Sequence, residues 1–279
     1  MRVLLHDSTA GVESDEMLRA LVSGLLVVLA SSLVGTWVVL RGLTFLGEAL
    51  AHGVIPGAAA ALVWGIDPVL GAALSAGVLV VGIGLVDRRA PVGHDASIGL
   101  LFVGMLSLGL IVLSSSHEEE VEQLLFGDIA HVDWGDIAVQ AVAVLLVVVA
   151  SFVGYRAFLA LTFHEGKAAS LGLRPHLTNM ALLALIAVAV VSSFTSAGSL
   201  LVFGLLVGPP ATALLLVRRA WVCMVVSVGV GWLAVAMGLL LARHYDTAVG
   251  ATMAAVSVGL FFVVLAAQSV RRSVAFQPA

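Results

Sequence analysis

The segment Leu43-Thr-Phe-Leu-Gly-Glu48-Ala-Leu-Ala-His52-Gly-Val-Ile-Pro56-Gly-Ala-Ala-Ala-Ala-Leu-Val-Trp64 is mostly apolar over the roughly 20 residues that a helix needs to cross a bilayer. Two of its residues are foreign to hydrocarbon. Glu48 and His52 have the i, i+4 spacing that places both side chains on one helical face. Counted from Arg41 at about 1.5 Å per residue, Glu48 lies roughly 10 Å deep and His52 roughly 16 Å, close to the bilayer midplane. An ionisable group is expensive there and usually faces a pathway or a partner. Read this way, the segment is a membrane helix carrying a functional pair, and the expected fold is all-α, a polytopic membrane helical bundle.

The rest of the chain agrees. Hydrophobic residues make up 61% of it and charged residues only 11%, with a mean hydropathy of +1.15, far from the balance of a water-soluble domain. Hydropathy and turn residues predict spans near Met17–Leu40, Leu43–Trp64, Pro68–Val86, Ala96–Leu113, Ile137–Phe158, His176–Ser192, Ala197–Val217, Trp221–Leu241 and Ala248–Val270. The expected organisation is a polar tail over residues 1–16, one transmembrane domain over 17–272 and a short tail over 273–279. Met1–Glu16 lacks the basic and short apolar regions of a signal peptide. Arg41, Arg88, Arg89, the Arg156–Arg174 connection, Arg218, Arg219, Arg271 and Arg272 fall on one side, which the positive-inside rule makes cytoplasmic. The N-terminus is then expected outside and the C-terminus inside. Gly77, Gly82 and Gly84 are expected at close helix contacts, where small residues let backbones approach.

Several chemistries are excluded or disfavoured. The net charge is −4 with no basic tract, so no nucleic-acid partner is expected. Cys223 is the single cysteine, which rules out a disulfide or a thiolate metal cage within one chain. There is no GxxxxGK[ST] stretch, because Gly166-Lys167 runs into Ala168, so ATP hydrolysis is not expected in this chain. HExxH is absent as well: His117-Glu118 meets Val121 and His164-Glu165 meets Ala168 at the fifth position. An intramembrane hydrolase lacks a nucleophile paired with a base.

Carboxylate and neutral imidazole suit zinc, manganese and ferrous iron, so Glu48 and His52 are candidate ligands for a passing divalent ion. On residue chemistry alone, a Glu–His hydrogen bond joining two helices is an equal alternative. Two ligands are too few for a closed site, although a two-fold dimer would bring a second pair to the axis. Pro209 and Pro210 break a helical pattern and free backbone carbonyls, either as a pore-lining break or as a kink near a helix end. The polar run His117-Glu-Glu-Glu120 reads as a solvated loop, with contact to a binding protein as the alternative. His94, His131, His176 and His244 fall at span ends or loops, and Asp95 at a helix start where it would cap.

Arg41–Gly57, Asp95-Ala-Ser-Ile-Gly99-Leu, Leu125-Phe-Gly-Asp-Ile129, Ala169-Ser-Leu-Gly-Leu173, Gly208-Pro-Pro-Ala-Thr-Ala213 and Tyr245-Asp-Thr-Ala-Val-Gly250 together resemble the integral membrane permease subunits of bacterial zinc and manganese ABC importers. The resemblance covers nearly the whole chain, in order and spacing. It implies a permease in the bacterial cell membrane, in contact with lipid, that works as a homodimer with a separate pair of ATPase subunits and an extracellular metal-binding protein. The transported ion would be Zn2+ or Mn2+, with no permanently bound cofactor. The resemblance also implies that Glu48 and His52 line the metal path. The cytoplasmic segment holding Glu165, Ala168, Ala169, Leu171, Gly172 and Leu173 would form a coupling helix seated on the ATPase, where composition alone reads a surface loop. The family more often has Asp at the position of Glu48, a proline at Ala248 and an acid-proline opening at His164-Glu165-Gly166. An ion-coupled secondary metal transporter, with Glu48 carrying a proton, is the alternative class.

Overall fold

The computed structural model describes residues 2–89, 93–114, 132–163, 174–245 and 247–275. Among the described residues the chain forms nine helices and no strand: α1 Arg2–Leu40, α2 Thr44–Gly53, α3 Ile55–Val63, α4 Pro68–Arg89, α5 His94–Leu113, α6 Trp134–Phe163, α7 Pro175–Leu216, α8 Ala220–Tyr245 and α9 Val249–Ala275. They contain nine stretches long and apolar enough to cross a membrane, beginning with Asp15–Leu40 and ending with Val249–Arg271. Each expected span has a counterpart, but spans and helices do not coincide one to one. The second span, Thr44–Val63, is built from α2 and α3. The sixth and seventh, Pro175–Phe194 and Ser196–Leu216, are the two limbs of α7.

Side-chain pairs along α1 show how α7 is folded. Toward its start, Arg19 reaches the carbonyl of Val132 at 3.4 Å, and Ser23 donates to Gln140 at 3.0 Å, which in turn donates to Ser196 at 2.7 Å. Toward its end, the Gly35 backbone lies against Leu206 and Pro210, and Arg41 donates to Asn179 at 2.8 Å. The first limb of α7 therefore runs from the level of Arg41 to the level of Ser23, and the second runs back. The reversal occurs at Gly198, with φ 69° and ψ 165°, a backbone region essentially confined to glycine. In hydrocarbon, backbone donors and acceptors need internal partners, which favours a turn this short.

The Pro209–Pro210 pair sits elsewhere in this scheme than expected. Gly198 is the single residue inside α7 with non-helical dihedrals, and both prolines lie within continuous helix, buried. Proline removes the donors that would serve the carbonyls of Leu205 and Leu206. The Leu206 carbonyl is pressed onto Gly35 of α1, and Pro209 packs toward Gly231 of α8. The prolines thus leave the helix continuous and mark a three-helix junction, while the reversal at Gly198 falls close to the boundary expected between the spans His176–Ser192 and Ala197–Val217.

Both limbs of α7 and the Asp15–Leu40 part of α1 occupy the centre, with α6 and α8 on α1, α9 against α7 and α8, and α2–α5 forming a flank. Trp37 anchors the core, fully buried with its ring 5.6 Å from Tyr155 and 5.9 Å from Phe158. In α4, Ala72, Ala76, Leu79, Val80 and Ile83 are buried, whereas Leu70, Leu74, Val78, Val81 and Leu85 are exposed on the opposite side. Of the glycines expected at contacts, Gly82 meets Leu101 and Gly84 meets Met180, but Gly77 lies on the exposed side of α4 with nothing within 4 Å of an added Cβ. The close backbone approach falls instead between Gly57 of α3 and Gly71 of α4.

Candidate functional site

Everything that positions Glu48 and His52 begins at Gly42. Its φ of 68° turns the chain after α1, and the Leu43 amide donates back to the Val38 carbonyl at 2.8 Å. From there α2 rises beside α1, α5 and α7. Leu46, Gly47, Ala49, Leu50, Ala51 and Gly53 are buried. The side of α2 left over is a stripe of Thr44, Phe45, Glu48 and His52, of which Phe45 is exposed and the others half-buried. The i, i+4 spacing read from sequence therefore does place acid and imidazole on one face, and that face is the open one.

His52 falls close to the middle of the Thr44–Val63 span. Two residues later the regular helix is offset at Val54, whose dihedrals stay right-handed helical at φ −80° and ψ −23°. α2 ends at Gly53, α3 starts at Ile55, and Pro56 occupies the first turn of α3. Because Pro56 has no N–H, it cannot serve the carbonyl of His52 four residues before it. The adjacent carbonyl, that of Gly53, accepts a bond from the Ser75 hydroxyl of α4 at 2.6 Å.

Neither Glu48 nor His52 makes a side-chain hydrogen bond or ion pair with another described residue. No interhelical Glu–His tie involving either residue is formed among the described residues. The ring of Phe102 on α5 lies 6.2 Å from that of His52, and Phe102 is 5.9 Å from Phe45 in an edge-on arrangement. No cluster of three or more His, Cys, Asp or Glu residues occurs among the described residues. The described residues therefore present two potential ligands on this open face, which suits incomplete, transient coordination better than storage.

The other expectations divide by position. The coupling segment with Glu165, Ala168, Ala169, Leu171, Gly172 and Leu173 lies outside the described residues, as do Leu125–Ile129, His117–Glu120 and His131. Asp95 is in the first turn of α5, where a carboxylate complements the helix dipole, but the N-cap residue is Gly93 and no side chain caps the helix. His176 and His244 stand exposed near the ends of α7 and α8. Reading by residue type missed the Ser23–Gln140–Ser196 network and the wall formed by Phe102. A glutamine inside an apolar span is a visible signal for the first; an ordinary phenylalanine gives none for the second.

The sequence pattern of the ABC 3 transport family matches residues 13–268. A manganese transport system membrane protein, MntC, from Listeria innocua is 28% identical over 88% of each chain. A protein named as a probable iron transport system membrane protein of Haemophilus influenzae is 28% identical over 93% of this chain and 96% of its own. The solved structure of PsaBC from Streptococcus pneumoniae in complex with Fab superposes with a TM-score of 0.80 at 23% identity, over 88% of this chain and 90% of that one, a likeness of fold.

Proposed function

This chain belongs to the ABC 3 transport family, and from that premise we propose that it carries divalent first-row metal ions across the membrane along a path lined by Glu48 and His52. It is the membrane permease subunit of an ABC importer, a transport component whose ATPase is a separate subunit. The observation that carries the metal path is an acid and an imidazole on one open face, near the middle of the Thr44–Val63 span, with no hydrogen-bonded or ionic partner among the described residues. A carboxylate and a neutral imidazole supply oxygen and nitrogen ligands to manganese, zinc or ferrous iron. The names of the relatives make manganese the first of these to test, ahead of zinc.

Two copies of the chain complete the proposal. A two-fold axis beside the open stripe of α2 would oppose two Glu48–His52 pairs and raise the ligand count to a number that holds a cation without trapping it. Alternating access then exposes the pair first to an extracellular metal-binding protein and then to the cytoplasm. The drive is closure of an ATPase pair acting through the segment that contains Glu165, Ala168, Ala169, Leu171, Gly172 and Leu173, as rigid-body movement. The arginine-rich ends of the spans face the cytoplasm.

Reconstitution with the ATPase subunits tests the path. Glu48→Gln and His52→Ala should each abolish ATP-dependent manganese uptake while the complex still assembles; undiminished uptake in both variants rejects the assignment. Uptake that persists without the ATPase and follows an imposed proton gradient would instead favour a secondary carrier. Gly172→Pro should leave ATP hydrolysis running but disconnected from transport, because proline deforms a helix at that point. Unchanged coupling would count against a coupling helix there.

A further inference from the structure

We propose that Phe102 is a positioning residue of the metal path, holding the His52 imidazole in its ligand orientation. The inference rests on the reading of His52 as a ligand. Metal-binding histidines usually have their second ring nitrogen fixed by a carboxylate or a carbonyl, but His52 has no side-chain hydrogen bond to a described residue. Its ring orientation is set by packing, and the ring it meets is Phe102, at 6.2 Å between centroids and 51° between planes.

The register of α5 against α2 makes this contact specific. Phe45 lies over Gly99, His52 lies beside Phe102, and Pro56 touches Gly109, so the two spans run parallel. Phe102 is also 5.9 Å from Phe45. Phe45 and His52 are two helical turns apart on one stripe, and the ring that reaches both is therefore level with Glu48. Phe45 holds Phe102 edge-on at 73°, and Phe102 walls one side of the ligand pair with an apolar face. That wall restricts imidazole rotation and keeps water from one side of the pair. Because it is mounted on a different helix, the ligand geometry depends on how α5 sits against α2.

The test uses the reconstituted importer with its ATPase and manganese as the probe. Phe102→Leu keeps an apolar side chain of similar volume, and Phe102→Met is the second variant should the first assemble poorly. Either should raise the half-saturating manganese concentration by about 10-fold, the size expected when the group orienting a metal-bound histidine is removed, with the rate at saturating manganese within about 2-fold. Phe102→Tyr, which retains the ring, should restore the wild-type half-saturation. Wild-type half-saturation in both non-aromatic variants, a fall confined to the maximal rate, or no rescue by tyrosine would overturn the proposal. If His52→Ala itself transports normally, the ligand reading fails first; if it is inactive while the Phe102 variants are unaltered, the positioning role alone is rejected.

Discussion

Gly57→Ala should loosen the protein and weaken its transport through one crossing point. A Cβ at Gly57 would stand 2.6 Å from the Ser75 Cβ and 2.7 Å from the Gly71 carbonyl carbon; one at Gly71 would be 2.7 Å from the Ala61 Cβ and 2.7 Å from the Gly57 carbonyl carbon. Non-bonded carbons prefer about 3.5–4.0 Å, so α3 and α4 have to separate by about 1 Å. No rotamer change relieves the overlap, because the opposing atoms are backbone or Cβ atoms. Overpacking of this kind costs about 1–3 kcal/mol. The push also acts on Ser75, whose hydroxyl bonds the Gly53 carbonyl beside His52, and ligand constellations tolerate only about 0.5 Å of displacement. Thermal unfolding in detergent and manganese uptake in proteoliposomes should therefore both suffer, with a lower midpoint and a raised half-saturation. Gly77→Ala is the control: it adds the same methyl to α4 on the side where nothing lies within 4 Å, and it should behave as wild type. A Gly57→Ala protein that melts and transports like Gly77→Ala would refute the reasoning.

Two further outcomes test the frame around the site. Gly198→Ala places a Cβ at φ 69° and ψ 165° and should destabilise the α7 reversal by about 1–3 kcal/mol, visible as a lower unfolding midpoint. Asparagine should not rescue it, because this is not the left-handed helical region that asparagine tolerates. Gln140→Leu removes both bonds of the Ser23–Gln140–Ser196 network and should cost about 1 kcal/mol, between the mean and the upper range for hydrogen bonds inside membrane proteins. Adding Ser23→Ala to Gln140→Leu should then change the midpoint little; a fully additive double mutant would show that the two side chains act independently.

The bundle was readable from hydropathy because a lipid solvent leaves a chain few options. Once the spans are apolar enough to cross, helices are the way to satisfy their backbone groups. The Glu48–His52 face was readable for a related reason, since the i, i+4 rule is local and α2 is regular across it. What escaped notice depends on long-range geometry. Whether a glycine marks a contact depends on which side of its helix is covered: Gly57 and Gly77 look alike as letters, yet one is pressed against α4 and the other faces outward. Pro209 and Pro210 read from the sequence as a pore-lining break or a kink near a helix end, yet both stay helical, and the non-helical dihedrals in α7 belong to Gly198. Composition shows which residue removes a donor, not whether neighbouring helices accommodate the loss. Phe102 had no chance of standing out, because its significance is the ring across from it.

The brace joining α1, α6 and α7 through Ser23, Gln140 and Ser196 is made of hydroxyls and an amide. None of these groups gains or loses a proton near neutral pH. None bears a net charge, so displacing them through the membrane does no work against the transmembrane potential, which acts at about 2.3 kcal/mol per elementary charge for each 100 mV. This seam should therefore hold with the same strength in an energised cell and a de-energised one, in acid surroundings and in neutral ones.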